Sequence, residues 1–301
     1  MFKSGFIGII GKPNVGKSTL LNRLIGQKIA ITTHKPQTTR NRITGIKNLE
    51  DAQIIFIDTP GLHEAKSALA KSMVNAAREV LAEVDIALLV VDADSGIRKD
   101  DLGIIDSLKA VEIPVIAVLN KIDTVRKEEL LPVIDSLSGV FPFKEIVPVS
   151  AIKDYNLDRL EQVLVKYLPE GPKLFPDDMI TDVSERFIAA EIIREKVTLL
   201  THEEIPYSTA VIVDSFKEDE EKNLIRIQAV IQVEKDSQKG IIIGSKGSML
   251  KEIGRQARLD MEKFFAARVY LELFVRARKD WTRSESMLQQ LGYSARKRKP
   301  E

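Results

Sequence analysis

A run of eight residues near the start of the chain, residues 11–18, has the composition and spacing of a phosphate-binding loop. It reads Gly-Lys-Pro-Asn-Val-Gly-Lys-Ser and fits the pattern Gly-x-x-x-x-Gly-Lys-Ser/Thr. The two glycines, Gly11 and Gly16, let successive backbone N–H groups face phosphate oxygens. Lys17 brings positive charge to the β- and γ-phosphates, and Ser18 offers its hydroxyl to Mg²⁺. We therefore predict a triphosphate site, with a strand before the loop and a helix after it.

A second candidate site for the same ligand is the sequence Asp58-Thr59-Pro60-Gly61, which follows an apolar run of strand length. A carboxylate at the end of a buried strand can hold Mg²⁺ through a water molecule, as it does in phosphate-loop nucleotidases. The N–H group of Gly61 could sense a γ-phosphate. Aspartate is common at strand ends, so the prediction depends on the position of this motif after the phosphate loop.

The sequence Asn120-Lys121-Ile122-Asp123 indicates which base is bound. Guanine presents an N1–H and an N2 amine side by side, and the Asp123 carboxylate can accept both, whereas adenine would leave it unpaired. Asn120 can bond the N7/O6 side, the Lys121 stem can cover the ring, and the backbone at Ser150-Ala151 can reach O6. The alternative is a helix cap after a strand, a position that Asn and Asp also suit.

These motifs need a fold that brings strand ends together. Apolar runs alternate with amphipathic stretches of helical length, which predicts βαβ units in an α/β domain with a mostly parallel, doubly wound sheet. In such sheets, ligands bind at the carboxyl ends of the strands. The predicted strands are Gly5–Ile10, Gln53–Ile57, Ile86–Val91, Pro114–Leu119 and Ile146–Val149.

Composition limits the other functions. The chain has 301 residues, which suits two domains, and it lacks cysteine, which excludes disulfides and cysteine-based zinc sites. With three scattered histidines, a histidine metal cluster is not expected. No apolar run is long enough to span a membrane, and the N-terminus is interpreted as a first strand and not a signal peptide. Residues 235–301 carry 16 Lys or Arg against eight Asp or Glu, so an anionic partner is expected there.

The second half of the chain follows a Pro- and Gly-rich stretch. The domains expected are 1–170 for nucleotide binding, 171–180 as a linker, and 181–301 as a smaller α+β domain with a basic tail. A helix over Val183–Leu200 precedes strands over Ser208–Val213 and Leu224–Val233, which are separated by an acidic turn, Lys217–Lys222. A Gly-x-x-Gly turn at residues 244–247 then lies between helices, and Val269–Val275 is the last strand.

The first half of the chain resembles the GTPase domain of the translation-factor class, because its four motifs occur in the usual order. The resemblance implies Mg²⁺ bound by Ser18, Thr39 and, through water, Asp58, with Thr39 in a switch loop and Thr38 as the next choice. At the position where Ras-type enzymes orient the attacking water with glutamine, this chain has Leu62. The resemblance implies instead that Asn14 helps bind K⁺. This is a hypothesis, as is slow intrinsic hydrolysis. His63 is interpreted as a surface residue of the switch region.

The second half resembles a type II KH domain, which binds single-stranded RNA. Gly244 and Gly247 permit close approach of the sugar-phosphate chain, Lys246 adds charge, and Ile241–Ile243 provide an apolar wall for bases. The order of the two domains over nearly the whole chain resembles the Era family of bacterial ribosome-assembly GTPases. That family implies binding near the 3′ end of small-subunit ribosomal RNA, no DNA, a monomer, and a cytoplasmic location with peripheral association with the inner membrane.

The predicted site residues are as follows. The residues expected to take part in catalysis are Lys17, Thr39, Gly61 and Asn14. The residues expected to bind GTP are Gly11, Lys12, Pro13, Asn14, Val15, Gly16, Lys17, Ser18, Thr19, Asp58, Thr59, Pro60, Gly61, Leu62, Asn120, Lys121, Ile122, Asp123, Ser150 and Ala151. The residues expected to bind RNA are Ile241, Ile242, Ile243, Gly244, Ser245, Lys246, Gly247 and Lys251.

Two alternatives remain open. The second domain could dock a protein or a membrane surface, with GTP as a stabilising ligand. The basic run Arg296–Lys299 could likewise contact RNA phosphates or an anionic membrane surface, or it could simply be a solvated end. A metabolic kinase is disfavoured by the guanine-type motif at residues 120–123.

Overall fold

The computed structural model describes residues 1–35, 38–61, 79–284 and 287–288. Their contacts divide the chain into two compact units. Of the described residues, the first unit contains 1–30, 38–61 and 79–182, and the second contains 31–35, 183–284 and 287–288. No helix in these described ranges is long and apolar enough to cross a membrane.

The first unit is built on a six-stranded sheet with the order β2-β3-β1-β4-β5-β6. All neighbouring strands are parallel except β2, which runs antiparallel to β3. This confirms the predicted mostly parallel sheet. The strands are β1 (Lys3–Ile10), β2 (Ile43–Asn48), β3 (Ala52–Asp58), β4 (Ile86–Asp92), β5 (Val115–Asn120) and β6 (Glu145–Pro148).

Four helices with full bounds in the described part of the first unit pack with this sheet, and their apolar residues recur at helical spacing. Helix α2 buries Ile104, Ile105 and Leu108 against Leu89 and Val91 of β4. The carboxyl ends of the central strands are therefore held by a close-packed core directly beneath the predicted site. The helices are α1 (Lys17–Ile25), α2 (Lys99–Leu108), α3 (Lys127–Val140) and α4 (Leu157–Tyr167).

The stretch predicted as a linker is hydrogen-bonded to the first unit. The side chain of Gln53 accepts from the N–H groups of Leu174 and Phe175 at 2.8 and 2.9 Å, and the N–H of Ile46 donates to the carbonyl of Ile180 at 2.8 Å. Residues 171–182 therefore line the β2–β3 side of the sheet. We propose that the domain boundary lies near residue 182.

The second unit places helices against a three-stranded sheet. Helix α5 (Glu185–Leu200) precedes β7 (Ala210–Asp219) and β8 (Leu224–Val233), and α6 (Asp236–Ile243) and α7 (Ser248–Phe265) precede β9 (Arg268–Ala277). Strands β7 and β8 are antiparallel, while β8 and β9 are parallel, as the long α6–α7 connection requires. One apolar core joins the three helices to one face of the sheet.

Two elements differ from the sequence-based expectation. Strand β2 was not predicted, because Gly45, Lys47 and Asn48 are poor strand formers and leave only a short apolar pattern in its sequence Ile-Thr-Gly-Ile-Lys-Asn. Strand β7 continues to Asp219, so the predicted acidic turn at Lys217–Lys222 is wrong in its first half. Pairing of Lys217 with Arg226 and of Glu218 with Ile225 extends the ladder beyond an irregularity at Val213–Ser215, and only Glu220–Lys222 turns.

Candidate nucleotide site and nucleic-acid groove

The phosphate loop lies at the carboxyl end of β1 and leads into α1, as its sequence predicts. Gly16 has φ of +97°, and a Cβ placed on it would come within 2.3 Å of the Asn120 side-chain nitrogen. Only glycine therefore suits this position, both for its backbone angle and for its surroundings. A Cβ on Gly61 would lie 2.7 Å from the backbone nitrogen of Pro13, so the motif at residues 58–61 abuts the phosphate loop.

Lys17 is buried, and its ammonium group curls back onto the loop. Its Nζ donates to the carbonyls of Gly11 and Lys12 at 3.0 and 2.8 Å. Burial lowers the pKa of Lys17 from 10.5 to about 8, and the opposing effect of the Asp58 carboxylate raises it. The group is therefore a cation in a nearly dry setting, where it interacts strongly with an incoming anion.

Three oxygen-bearing side chains meet beside Lys17. The Ser18 hydroxyl donates to Asp58 Oδ2 at 2.6 Å, the Thr39 hydroxyl donates to the same oxygen at 3.1 Å, and the two hydroxyl oxygens are 2.7 Å apart. Burial raises the pKa of Asp58, while Lys17, both hydroxyls and the Thr59 N–H lower it. The other carboxylate oxygen, Oδ1, is buried and has no hydrogen-bond partner among the described residues.

This oxygen cluster fits a Mg²⁺ ion. Mg²⁺ takes oxygen ligands at about 2.05 Å in octahedral geometry, so neighbouring ligand oxygens lie roughly 2.9 Å apart. The separations among the Ser18, Thr39 and Asp58 oxygens, 2.6–3.1 Å, are close to that value. A divalent cation would also give the unsatisfied Asp58 oxygen a partner, directly or through water.

The predicted base-binding residues lie together at the ends of β5 and β6. Ser150 Oγ donates a short hydrogen bond to Asp123 Oδ1, which fixes the orientation of the carboxylate. Lys121 has φ of +65°, and its Nζ forms an ion pair with Asp92 Oδ2 at 2.6 Å. Ile122 begins a short turn that carries Asp123. The Asp123 carboxylate is therefore held by Ser150 at the point where the sequence predicts guanine binding.

Asn120 has a role that its sequence motif did not suggest. Its side-chain nitrogen donates to the carbonyl of Val15 at 2.9 Å, and its side-chain oxygen accepts from the N–H of Ala151 at 3.0 Å. Asn120 thus connects the phosphate loop to the loop after β6. Asn120 is therefore a bridge between two parts of the site, and its contact with the N7/O6 side of guanine stays a prediction.

The remaining predicted residues fall into three groups. Thr59 and Pro60 are buried, and the Thr59 hydroxyl donates to the carbonyl of Ile9 at 2.8 Å, so this side chain is a support for the loop. Asn14 is exposed with φ of +64°, and Thr19 lies in the first turn of α1. Leu62, His63 and the basic run at 296–299 lie outside the described residues.

One further residue pair supports the phosphate loop. Lys12 Nζ lies 2.6 Å from Asp101 Oδ2, and this oxygen also accepts from the N–H of Arg98 at 2.8 Å. Asp101 is completely buried at the start of α2. Sequence reasoning missed Asp101, because nothing local distinguishes it from an ordinary acidic residue in a first helical turn.

The perturbed Lys17 predicts how nucleotide affinity changes with pH. Bound phosphates stabilise the ammonium form and raise its pKa, so above pH 8 binding must take up a proton. We expect affinity for GDP to be flat below pH 8 and to fall above it, by up to about tenfold per pH unit. Titration of a fluorescent GDP analogue from pH 7 to 9 measures this. In the Lys17→Arg variant the side chain stays charged throughout this range, so the affinity of the variant for GDP should change only with the titration of guanine itself. If the affinities of the parent protein and of the variant changed with pH in parallel, the prediction would be contradicted.

In the second unit, a groove lies between α7 and β9. It encloses about 500 Å³ and is lined by Gly247, Leu250, Lys251, Gly254, Arg255, Arg258, Leu271 and Leu273. Gly244 has φ of +70°, and a Cβ there would lie 2.7 Å from that of Met249, so the turn at 244–247 requires glycine at this position. Ser245, Lys246 and Lys251 are exposed around it. The groove thus has an apolar floor and a basic rim.

The predicted apolar wall at Ile241–Ile243 is wrong for one residue. Ile242 is completely buried in the core of the second unit, because successive residues of α6 point in different directions. Ile241 is 52% exposed and Ile243 is half-buried. The structure instead supplies Arg255 and Arg258 on the groove side of α7, each held by an acidic neighbour. Their spacing from Lys251 on one helix face is the sequence signal that was missed.

Two family models match the chain. Residues 6–121 match the 50S ribosome-binding GTPase family, and residues 204–282 match the KH domain family. GTPase Era of Syntrophus aciditrophicus is 62% identical over 294 residues, covering 98% of this chain and 96% of that protein. GTPase Era of Geotalea daltonii is 56% identical over 292 residues, covering 97% and 98%.

Solved structures are similar over the same length. An Era structure in complex with MgGDPNP and nucleotides 1506–1542 of 16S ribosomal RNA has a TM-score of 0.95 and 46% identity, and covers 98% of this chain and 100% of that one. An Era variant from Aquifex aeolicus bound to GDP·AlF₄⁻ has a TM-score of 0.94 at 46% identity, with the same coverage. The similarity therefore extends over both units.

Proposed function

Since the chain belongs to the Era family of GTPases, we propose that it binds and hydrolyses GTP and that its KH domain binds small-subunit ribosomal RNA near the 3′ end during subunit assembly. The observation that carries this proposal is the convergence of Ser18, Thr39 and Asp58 beside buried Lys17. A relative with the same domain order was solved with MgGDPNP and 16S ribosomal RNA. We place the protein in the cytoplasm; peripheral contact with an anionic membrane stays a proposal for the basic tail.

The site residues act mainly on the triphosphate. Lys17 gives up its contacts with the loop carbonyls to bind the β- and γ-phosphates, and the loop N–H groups hold the phosphate oxygens. The Ser18 and Thr39 oxygens and, through water, Asp58 would hold Mg²⁺, which supplies charge for the developing transition state. Thr39 thereby couples the 38–42 segment to the γ-phosphate, as switch loops do.

Guanine specificity resides at Asp123. Its carboxylate, oriented by Ser150, accepts the N1–H and N2 amine of the base. The bridge formed by Asn120 holds the phosphate loop and the 150–151 loop in one arrangement, so that base and phosphates are bound together.

The RNA proposal depends on the groove along α7. Its apolar floor suits unstacked bases, and Lys251, Arg255 and Arg258 suit the phosphates of a single strand. The alternative function, a surface that docks a protein, predicts that affinity depends weakly on salt. Phosphate contacts instead make the logarithm of the binding constant fall linearly with the logarithm of the salt concentration.

Crosslinking of the GTP-bound protein in cells, followed by sequencing of the attached RNA, tests the assignment to ribosomal RNA. Absence of ribosomal RNA from the product would contradict it.

Side chains introduced at Gly254 can fill the α7 groove without disturbing the helix. A Cβ on Gly254 would lie 3.5 Å from Leu273 Cδ1, which is ordinary contact, so Gly254→Ala should fold well and bind RNA nearly as the parent does. Gly254→Leu should fill the groove floor and weaken RNA binding by at least about thirtyfold, the loss of roughly one stacked base. Fluorescence anisotropy with a labelled RNA measures both. Equal affinities for the two variants would contradict this location of the groove.

We propose further that Asn14 helps bind K⁺ beside the phosphates and thereby assists hydrolysis. Its exposed side chain and φ of +64° place it at the mouth of the loop. GTP hydrolysis should be several times faster in KCl than in NaCl, and this difference should vanish in Asn14→Gly, which tolerates the same backbone angle. A rate that is equal in both salts for the parent protein would contradict the proposal.

A further inference from the structure

A second cavity, the β9 edge cavity, lies beside strand β9 and is lined by residues other than those of the α7 groove. It encloses about 550 Å³ and is lined by Asp214, Val230, Asp236, Lys239, Phe274, Val275, Arg276 and Ala277. The lining comes from all three strands of the sheet, with Val230 of β8 paired to Phe274 of β9, and it extends to the first turn of α6. Its volume is in the range of small-ligand sites.

Alternation along β9 places Phe274 on the opposite face of the sheet from the leucines of the α7 groove. Leu271 and Leu273 point toward the helices and line the α7 groove. Phe274 and Arg276 occupy alternate positions, and Phe274 is 55% exposed. The exposed ring of Phe274 offers a flat apolar surface on which a ligand can stack.

The charges around Phe274 suit a nucleotide. Arg276 and Lys239 are the cations of the cavity, and Asp214 and Asp236 are its carboxylates. The cations can bind a phosphate, and a carboxylate can accept a hydrogen bond from the exocyclic amine of a base. The ring of Phe274 provides the stacking surface that single-strand binding sites use.

The location of the cavity indicates that its nucleotide belongs to the RNA strand bound in the α7 groove. It shares β9 with the α7 groove, and its α6 wall is the helix that leads into the 244–247 turn. Resting on the RNA-binding function proposed above, we propose that the β9 edge cavity is a second subsite for the same single-stranded RNA. One base of the strand leaving the groove stacks on Phe274, and its phosphate lies at Arg276 and Lys239.

RNA length provides the test. A KH turn clamps about four nucleotides, so the probes are a four-nucleotide RNA and two versions extended by three nucleotides at the 5′ or the 3′ end, bound to the full-length protein with a non-hydrolysable GTP analogue. Phe274→Ala should weaken binding of one extended RNA about tenfold and leave the four-nucleotide RNA unchanged. Arg276→Gln should lower the salt slope for that same RNA by about one.

Tyr270 provides the matched control. It is an aromatic residue of the same strand and is 49% exposed, but it does not line the cavity, so Tyr270→Ala should leave both affinities unchanged. If Phe274→Ala binds every RNA like the parent protein, the subsite is refuted, and a fall in its melting temperature would then assign Phe274 to packing within the chain. If the parent protein binds no RNA of any length, the proposed RNA-binding function fails first.

Discussion

Asp123→Asn is expected to weaken GTP binding by about 10³-fold, the largest effect of any single substitution considered for this protein. Two hydrogen bonds from guanine to a charged acceptor contribute about 1.5–3 kcal/mol each, and the asparagine amide would place a donor against the N2 amine. Calorimetric titration with GTP measures the loss. The loss should leave the melting temperature nearly unchanged, because Asp123 is exposed apart from its bond with Ser150.

The same substitution should change base preference. Xanthine has a carbonyl where guanine has the N2 amine, so the asparagine amide can donate to it, and XTP should bind Asp123→Asn better than GTP does. Asp135→Asn, at an exposed position on α3 away from the site, is the matched control and should bind GTP normally. Retention of GTP preference by Asp123→Asn would show that guanine is recognised elsewhere.

Gly16→Ala is expected to weaken nucleotide binding by about 100-fold. The new methyl group would meet the Asn120 side-chain nitrogen at 2.3 Å, and φ of +97° is strained for alanine. A shift of either loop breaks the bridge through Asn120 to Val15 and Ala151, and each unsatisfied buried group costs about 1–3 kcal/mol. Fluorescent GDP displacement measures the affinity.

Combining Gly16→Ala with Asn120→Ala tests the bridge directly. Asn120→Ala alone should also weaken binding, because the Val15 carbonyl and the Ala151 N–H lose their partner. The double variant removes the clash, so its loss of nucleotide-binding free energy should be clearly smaller than the sum of the losses in the two single variants. Additive losses would mean that the phosphate loop and the base-binding loop act independently.

Sequence patterns were sufficient for the residues whose chemistry is local. The phosphate loop, the 58–61 motif and Asp123 each follow a strand, and parallel strands bring their carboxyl ends to one edge, so Ser18, Asp58 and Asp123 could be predicted before any coordinates. Strand β2 could not be predicted, because Gly45, Lys47 and Asn48 interrupt its strand-forming residues and the segment becomes a strand by pairing with β3.

The roles that the sequence did not predict depend on contacts between distant parts of the chain. The role of Asn120 requires knowing that Val15 and Ala151 flank it, and the role of Asp101 requires knowing that Lys12 reaches α2. Ile242 was misassigned because the sequence of α6 does not fix which of three successive isoleucines faces the core. The groove and the β9 edge cavity depend on the register of β8 with β9, which no local pattern specifies.

We propose that nucleotide state controls RNA binding through Thr39, the switch-loop residue at the predicted Mg²⁺ site. Such control requires the protein to have different RNA affinities in its two nucleotide states. The most direct test is the dissociation constant for an RNA of the 3′ end of 16S ribosomal RNA, measured at one salt concentration with a non-hydrolysable GTP analogue and again with GDP. We expect binding at least about fivefold tighter with the GTP analogue. Equal dissociation constants in the two nucleotide states would contradict the coupling.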